Sequence, residues 1–129
     1  MHTSVNDLPV KIDAPGAHAR QLPDFGTATA TAPLAAEYFI MAAGTDLAPL
    51  LQGLEHDACQ SAHWGYVVAG SVLVTYTDGS GEQCSTGDVF HWPPGHSVRV
   101  VDDAELVIFS PQADHVPVLD HIVAKMSGG

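Results

Sequence analysis

Cations are scarce in this chain. Its 129 residues hold 4 Lys and Arg against 15 Asp and Glu, a formal net charge of −11. Such a surface repels phosphate backbones and anionic lipid, which argues against nucleic acid and membrane partners. Cysteine is rarer still. Cys59 and Cys84 are too few for a disulfide scaffold or a four-thiolate zinc site on one chain. No apolar run approaches the roughly 20 residues that span a bilayer. The opening MHTSVNDLPVKID lacks the basic start and apolar segment of a signal peptide. The expected location is the cytoplasm, with both cysteines as free thiols. Phosphate loops, dinucleotide fingerprints and a Ser-His-Asp order are missing too, so no nucleotide cofactor is expected.

What the chain does have is 46% hydrophobic residues and eight histidines. That apolar fraction fills the core of one domain of this length. Residues 1–33 carry Pro9, Pro15, Pro23 and Pro33, too frequent for a helix, and read as an irregular arm. GTATATA at 26–32 is short enough for one edge strand. EYFIMAA at 37–43 is the first convincing strand. The segment 45–54 is less regular, and Pro49 argues against a central strand there. From Cys59 onward short β-rich runs crowd together: 63–69, 71–77, 82–85, 89–92, 97–101 and 105–110. Asp78-Gly79, Gly87-Asp88 and Asp102-Asp103 read as turns between them. This ladder predicts an all-β sandwich or barrel.

The tail changes period. Leu119, Ile122, Val123 and Met126 recur at helical spacing, Asp114 suits an N-cap, and Gly128 and Gly129 stop the run. The division expected is an N-terminal arm over 1–33, a barrel over 34–112, and a C-terminal helix and tail over 113–129. The helix is expected to rest on the barrel or on a second subunit.

Two segments carry the chemistry: HWGYVVAG at 63–70 and GDVFHWPPGH at 87–96. Gly87 permits a tight turn, Pro93 and Pro94 end strand pairing, and Gly95 allows the chain to reverse. Beyond that corner His96, Val98 and Val100 share one strand face, which points His96 into the barrel.

Taken together, the segments resemble the cupins, whose small jelly-roll barrels carry the motifs G-x5-H-x-H-x3,4-E-x6-G and G-x5-P-x-G-x2-H-x3-N. Gly87, Pro93 and Gly95 match the second motif, and Gly70 the last glycine of the first. The resemblance covers roughly Glu37 to Pro111 and implies an all-β cupin double-stranded β-helix. CQSAHWGYVVAG and PPGH further resemble a subgroup of small bacterial cupins with the signature C-x3-H-x-GYV-x2-G. The ligand positions depart from the family pattern. His63 stands at the Glu position. Asp57 and Cys59 stand at the two His positions, or His56 and Ala58 at the longer spacing. Val98 holds the later His position, with His96 two residues before it, and Asp102 holds the terminal Asn.

The expected metal set is therefore Cys59, His63, His96 and Asp57, with His56 or His91 as substitutes. Cys59, His63 and Asp57 share parity, and His96 enters from the neighbouring turn. Thiolate, imidazole and carboxylate together suit Zn²⁺ or Fe²⁺ better than Mg²⁺ or Ca²⁺. The alternative is a barrel without metal, in which Cys59 is a small buried apolar residue and the two histidines are hydrogen-bonded pocket groups. Tyr66 and Trp92 complete the expected ligand pocket, although aromatics at such places also serve as packing. His2, His18, His115 and His121 read as solvated. The expected partner is a small organic molecule, and the expected assembly a homodimer through exposed sheet edges. The resemblance allows isomerase, cyclase, lyase or dioxygenase chemistry. The rival readings are a metal-free binding module and a purely structural domain.

Overall fold

Alternation of buried and exposed side chains along the strands closes the chain into an antiparallel barrel. The computed structural model describes residues 1–128. The strands are β1 (Val10–Ala14), β2 (Ala17–Leu22), β3 (Thr27–Thr29), β4 (Ala32–Met41), β5 (His63–Tyr76), β6 (Gly81–Ser85), β7 (Val89–Trp92) and β8 (His96–Pro111). They hydrogen-bond in the order β1-β2-β4-β8-β5-β6, with β3 on β4 and β7 on β5. Helix α1 (Gln112–Met126) follows directly and packs on β4, β8 and the short 3₁₀ turn at Ala48–Leu51. The fold is the all-β jelly roll with a C-terminal helix.

Several local expectations change. The arm is less irregular than its prolines suggest. Residues 10–22 form the β1–β2 hairpin, and β2 pairs with β4 in uninterrupted register from Ala17–Met41 to Leu22–Ala36. Pro9 and Pro15 lie outside the strands, where the lack of an N–H costs no ladder bond. Asp102 and Asp103 do not form a turn between two strands but lie inside the single strand β8. The irregularity sits opposite them, in β5. There the inward face switches from odd residues (His63, Val67) to even ones (Val72, Val74), and the pairing with β8 shifts around Gly70. Gly70 has φ +82°, and a Cβ there would sit 1.9 Å from the Asp103 carbonyl oxygen. Only glycine fits such a bulge. Helix α1 begins at Gln112 after Pro111, so Asp114 lies in its first turn rather than at the cap. Gly128 follows the helix, and Gly129 lies outside the described residues.

The core fills the barrel with Val67, Val72, Val74, Val98, Val100, Leu106 and Ile108, closed at one end by Val118, Leu119 and Ile122 of α1. On the far side of β4, Leu8, Ala36 and Tyr38 form a second cluster with Phe25 and Phe109. Both faces of β4 are therefore covered. Among the described residues, no helix is long and apolar enough to cross a membrane.

Candidate functional site

A row of polar side chains crosses the inside of the apolar barrel. Gln21, Glu37, Ser110 and His63 come from β2, β4, β8 and β5, which are neighbours in the sheet. Gln21 and Glu37 are a direct cross-strand pair. Glu37 has alternate neighbours Phe39 and Met41 on its inward face, and Ser110 is the last inward residue of β8 after Leu106 and Ile108. Gln21 Nε2 donates to Glu37 Oε2 at 2.7 Å, and Ser110 Oγ donates to Glu37 Oε1 at 2.7 Å. His115 reaches the same carboxylate from α1, with Nδ1 2.5 Å from Oε2. A carboxylate taken into a barrel needs such partners, because an unpaired buried charge costs several kcal/mol.

His63 continues the row. Its Nδ1 lies 2.6 Å from Ser110 Oγ. The single hydroxyl hydrogen of Ser110 is already given to Glu37, so Ser110 accepts from His63 Nδ1–H. That fixes the tautomer and leaves the Nε2 lone pair bare, 3.5 Å from Cys59 Sγ. His96 is fixed in the same sense. Its Nδ1 donates to the Pro93 carbonyl at 2.8 Å, so its Nε2 is also free. Cys59 is held beside His96 by backbone bonds, with Cys59 N donating to His96 O at 2.8 Å and Gly95 N to Cys59 O at 2.7 Å. The double proline and Gly95 (φ +90°) make the corner that brings these two chain segments together.

Charge follows from this geometry. Burial pushes the Cys59 thiol up, but the neighbouring histidines, His115 above all and then His63 and His96, outweigh it and hold the pKa down to about 3. Burial and the charge of His115 push His63 down to about 4, which keeps it a neutral imidazole. Burial also disfavours the His115 cation, yet the Glu37 carboxylate and Cys59 sulfur lift it to about 9. Burial raises Glu37, but His115 and the other partners bring it below the ordinary carboxylate value. In the free protein the cluster is thus thiolate, carboxylate, one imidazolium and at least one neutral imidazole.

Cys59, His63 and His96 each offer a ligand atom within 4.8 Å of the other two, all buried. Glu37, His63 and His115 form a second such group, but hydrogen bonds already occupy its carboxylate. The first group fits a metal ion. Tetrahedral zinc with Zn–S near 2.3 Å and Zn–N near 2.0 Å separates sulfur from nitrogen by about 3.5 Å, the Cys59–His63 distance found here. Free Nε2 atoms on rings held through Nδ1–H are the arrangement that metal-binding histidines adopt.

Three expected residues come together: Cys59, His63 and His96. Trp92 is buried against them, its ring 6.1 Å from His63. Asp57 does not join. The parity that placed it assumes a strand, whereas Glu55–Asp57 is a 3₁₀ turn with positive φ at His56 and Asp57. Both are exposed, and Asp57 Oδ1 accepts from Gly53 N. His91 is exposed and stacks on Trp64 outside the barrel. Tyr66, 44% exposed, points outward from β5 and does not line the pocket. His115, expected in solvent, is 4% exposed. Its signal was present, since His115 stands on the helical stripe of Val118, Leu119 and Ile122. Glu37 likewise shared strand parity with Phe39 and Met41. Of the other tail and arm histidines, His121 bonds the Gln52 carbonyl and His18 is half-buried.

The cluster forms the floor of a cavity of about 230 Å³. Its walls are Phe39, Met41, Leu47, Leu51, Val98, Leu106, Ile108 and the apolar face of α1. Pro15 and Met126 are its exposed lining residues and mark the mouth.

No protein-family model and no curated protein matches the sequence. Solved structures do match. A variant of oxalate decarboxylase from Bacillus subtilis superposes with a TM-score of 0.60 at 20% identity, over 84% of this chain and 28% of that one. A variant of salicylate 1,2-dioxygenase from Pseudoaminobacter salicylatoxidans gives 0.55 at 23%, over 84% and 30%. An RmlC-like cupin from Shewanella frigidimarina gives 0.56 at 21%, over 84% and 88%. The chain spans less than a third of the decarboxylase and dioxygenase chains, but most of the single small cupin.

Proposed function

With the cupin fold as premise, we propose that this protein binds a small organic molecule in its barrel, above a divalent metal held by Cys59, His63 and His96. The observation that carries the reading is the pair of imidazoles locked through Nδ1–H, with bare Nε2 atoms converging on the Cys59 sulfur. Thiolate with two imidazoles favours Zn²⁺ or Fe²⁺. A metal held by these three side chains would supply Lewis acidity and acidify a water. The chain's own residues do the rest. Ser110 and Glu37 orient His63, the apolar walls exclude bulk water, and His115 keeps an acidic proton beside the centre. Enzymatic turnover of the isomerase, cyclase, lyase or dioxygenase kind is the extension of this reading. The same reading carries work in a reducing compartment such as the cytoplasm, which suits two free thiols, and pairing as a homodimer through exposed sheet edges.

Elemental analysis of protein purified without chelator is the test. One zinc or iron per chain, lost in Cys59→Ala and His63→Ala, is expected. Folded wild-type protein without metal overturns the metal centre. It would leave a metal-free binding module, a reading favoured by one observation: His115, paired with Glu37, also packs against the His63 ring beside the Cys59 sulfur, so the cluster holds a cation without any metal.

A further inference from the structure

The floor of the cavity is polar, yet its wall contains none of the chain's 4 Lys and Arg and none of its 15 Asp and Glu. Lys11, Arg20, Arg99 and Lys125 all lie elsewhere. The one cation that reaches the floor, His115, is spent on Glu37 at 2.5 Å. A ligand entering past Pro15 and Met126 therefore meets mostly hydrocarbon, with His18, Thr45 and Ser97 the polar side chains along the wall, until it touches the Cys59–His63–His96 cluster. A second charged group on that ligand would leave water with no partner to replace it.

Resting on the cavity-binding reading above, we propose that the natural ligand is a lipophile with one terminal oxygen: an alkyl or aryl body carrying a single alcohol, phenol, carbonyl or carboxylate head. The head sits at the cluster and the body fills the space between Phe39, Leu51, Val98 and Ile122. Dianions such as oxalate, and phosphorylated molecules, are excluded by the wall. The volume is consistent with a ligand smaller than a dinucleotide, since pockets for drug-sized ligands start near 300 Å³.

Trp92 reports on the cavity directly. It is 2% exposed and lines the wall, whereas the only other tryptophan, Trp64, lies outside on β5. In Trp64→Phe, emission comes from Trp92 alone. Titration with 1-octanol is expected to change that emission saturably and to raise Tm, with oxalate at least about 100-fold weaker. Ala17→Phe, which narrows the cavity near its mouth, is expected to abolish the octanol response and leave the metal content unchanged. Thr45→Phe serves as the second plug should Ala17→Phe fail to fold. Saturable binding of oxalate in the octanol range, blocked by the plugs, would keep the cavity reading and overturn the ligand class. No response to octanol, or a response that survives both plugs, overturns the proposal. Octanol binding to a preparation without metal leaves this inference standing and removes the metal centre.

Discussion

His115 on the C-terminal helix is joined to Glu37 on an inner strand, Nδ1 to Oε2 at 2.5 Å, with both side chains buried. The pair ties α1 to the barrel, and it links the helix to the Cys59 cluster through the imidazole edge packed against His63 (ring centroids 4.3 Å apart).

Breaking that pair from one side is expected to be severe. Glu37→Ala strands a buried cation and should cost about 3–5 kcal/mol in urea denaturation. Glu37→Gln keeps the shape and part of the hydrogen bonding, so it should cost less. Equal losses in the two variants would mean that charge pairing contributes nothing.

Acid should destabilise the metal-free protein early. His63 is held at about 4 in the fold against an ordinary 6.5. Its contribution is complete above pH 6.5 and is lost as pH falls toward 4, because the unfolded chain takes up the proton first. Cys59, held low, acts in the same direction. From pH 6.5 to 9 its effect opposes that of His115, whose raised pKa makes stability fall as pH rises, so Tm should be nearly flat there. In His63→Gln the acid limb should flatten. A Cys59→Ser variant should turn the flat region into a decline. Tm measured from pH 4 to 10 in chelator tests all three.

Ser110→Ala removes the acceptor of His63 Nδ1–H without touching a proposed ligand. Metal affinity should fall by about 10–100-fold through loss of ring orientation, measured by competition with a chromogenic chelator. Unchanged affinity would mean that the tautomer lock is idle.

Two glycine substitutions should separate. Gly70→Ala pushes a Cβ into the Asp103 carbonyl at a left-handed φ and should cost roughly 3 kcal/mol or more. Gly79→Ala has a similar φ of +88° but nothing within 4 Å, and should cost about 1–2 kcal/mol. Comparable losses at the two positions would contradict the bulge geometry.

How much of this was legible depends on the range of the interaction. Gly87, Pro93 and Gly95 spelled the barrel corners, because turns are set by the residues within them, whereas Gly70 matched the family motif and proved to be a bulge inside β5. His63, Cys59 and His96 were legible through strand alternation next to those turns. Asp57 was misplaced because alternation was extended across a segment that leaves the strand at His56. The β1–β2 hairpin was hidden because its strands gain stability from β4 rather than from a local pattern.

Composition and turn chemistry in the chain alone determined an all-β sandwich or barrel, since both effects act within a few residues, and strand parity together with the cupin resemblance aimed two imidazoles and a thiol at its interior. Only the tertiary structure decided that Gln21, Glu37, Ser110 and His63 stand in one row and that His115 closes it. Those contacts depend on strand order and helix docking, where side chains up to 78 residues apart in sequence meet because burial forces every polar group to find a partner.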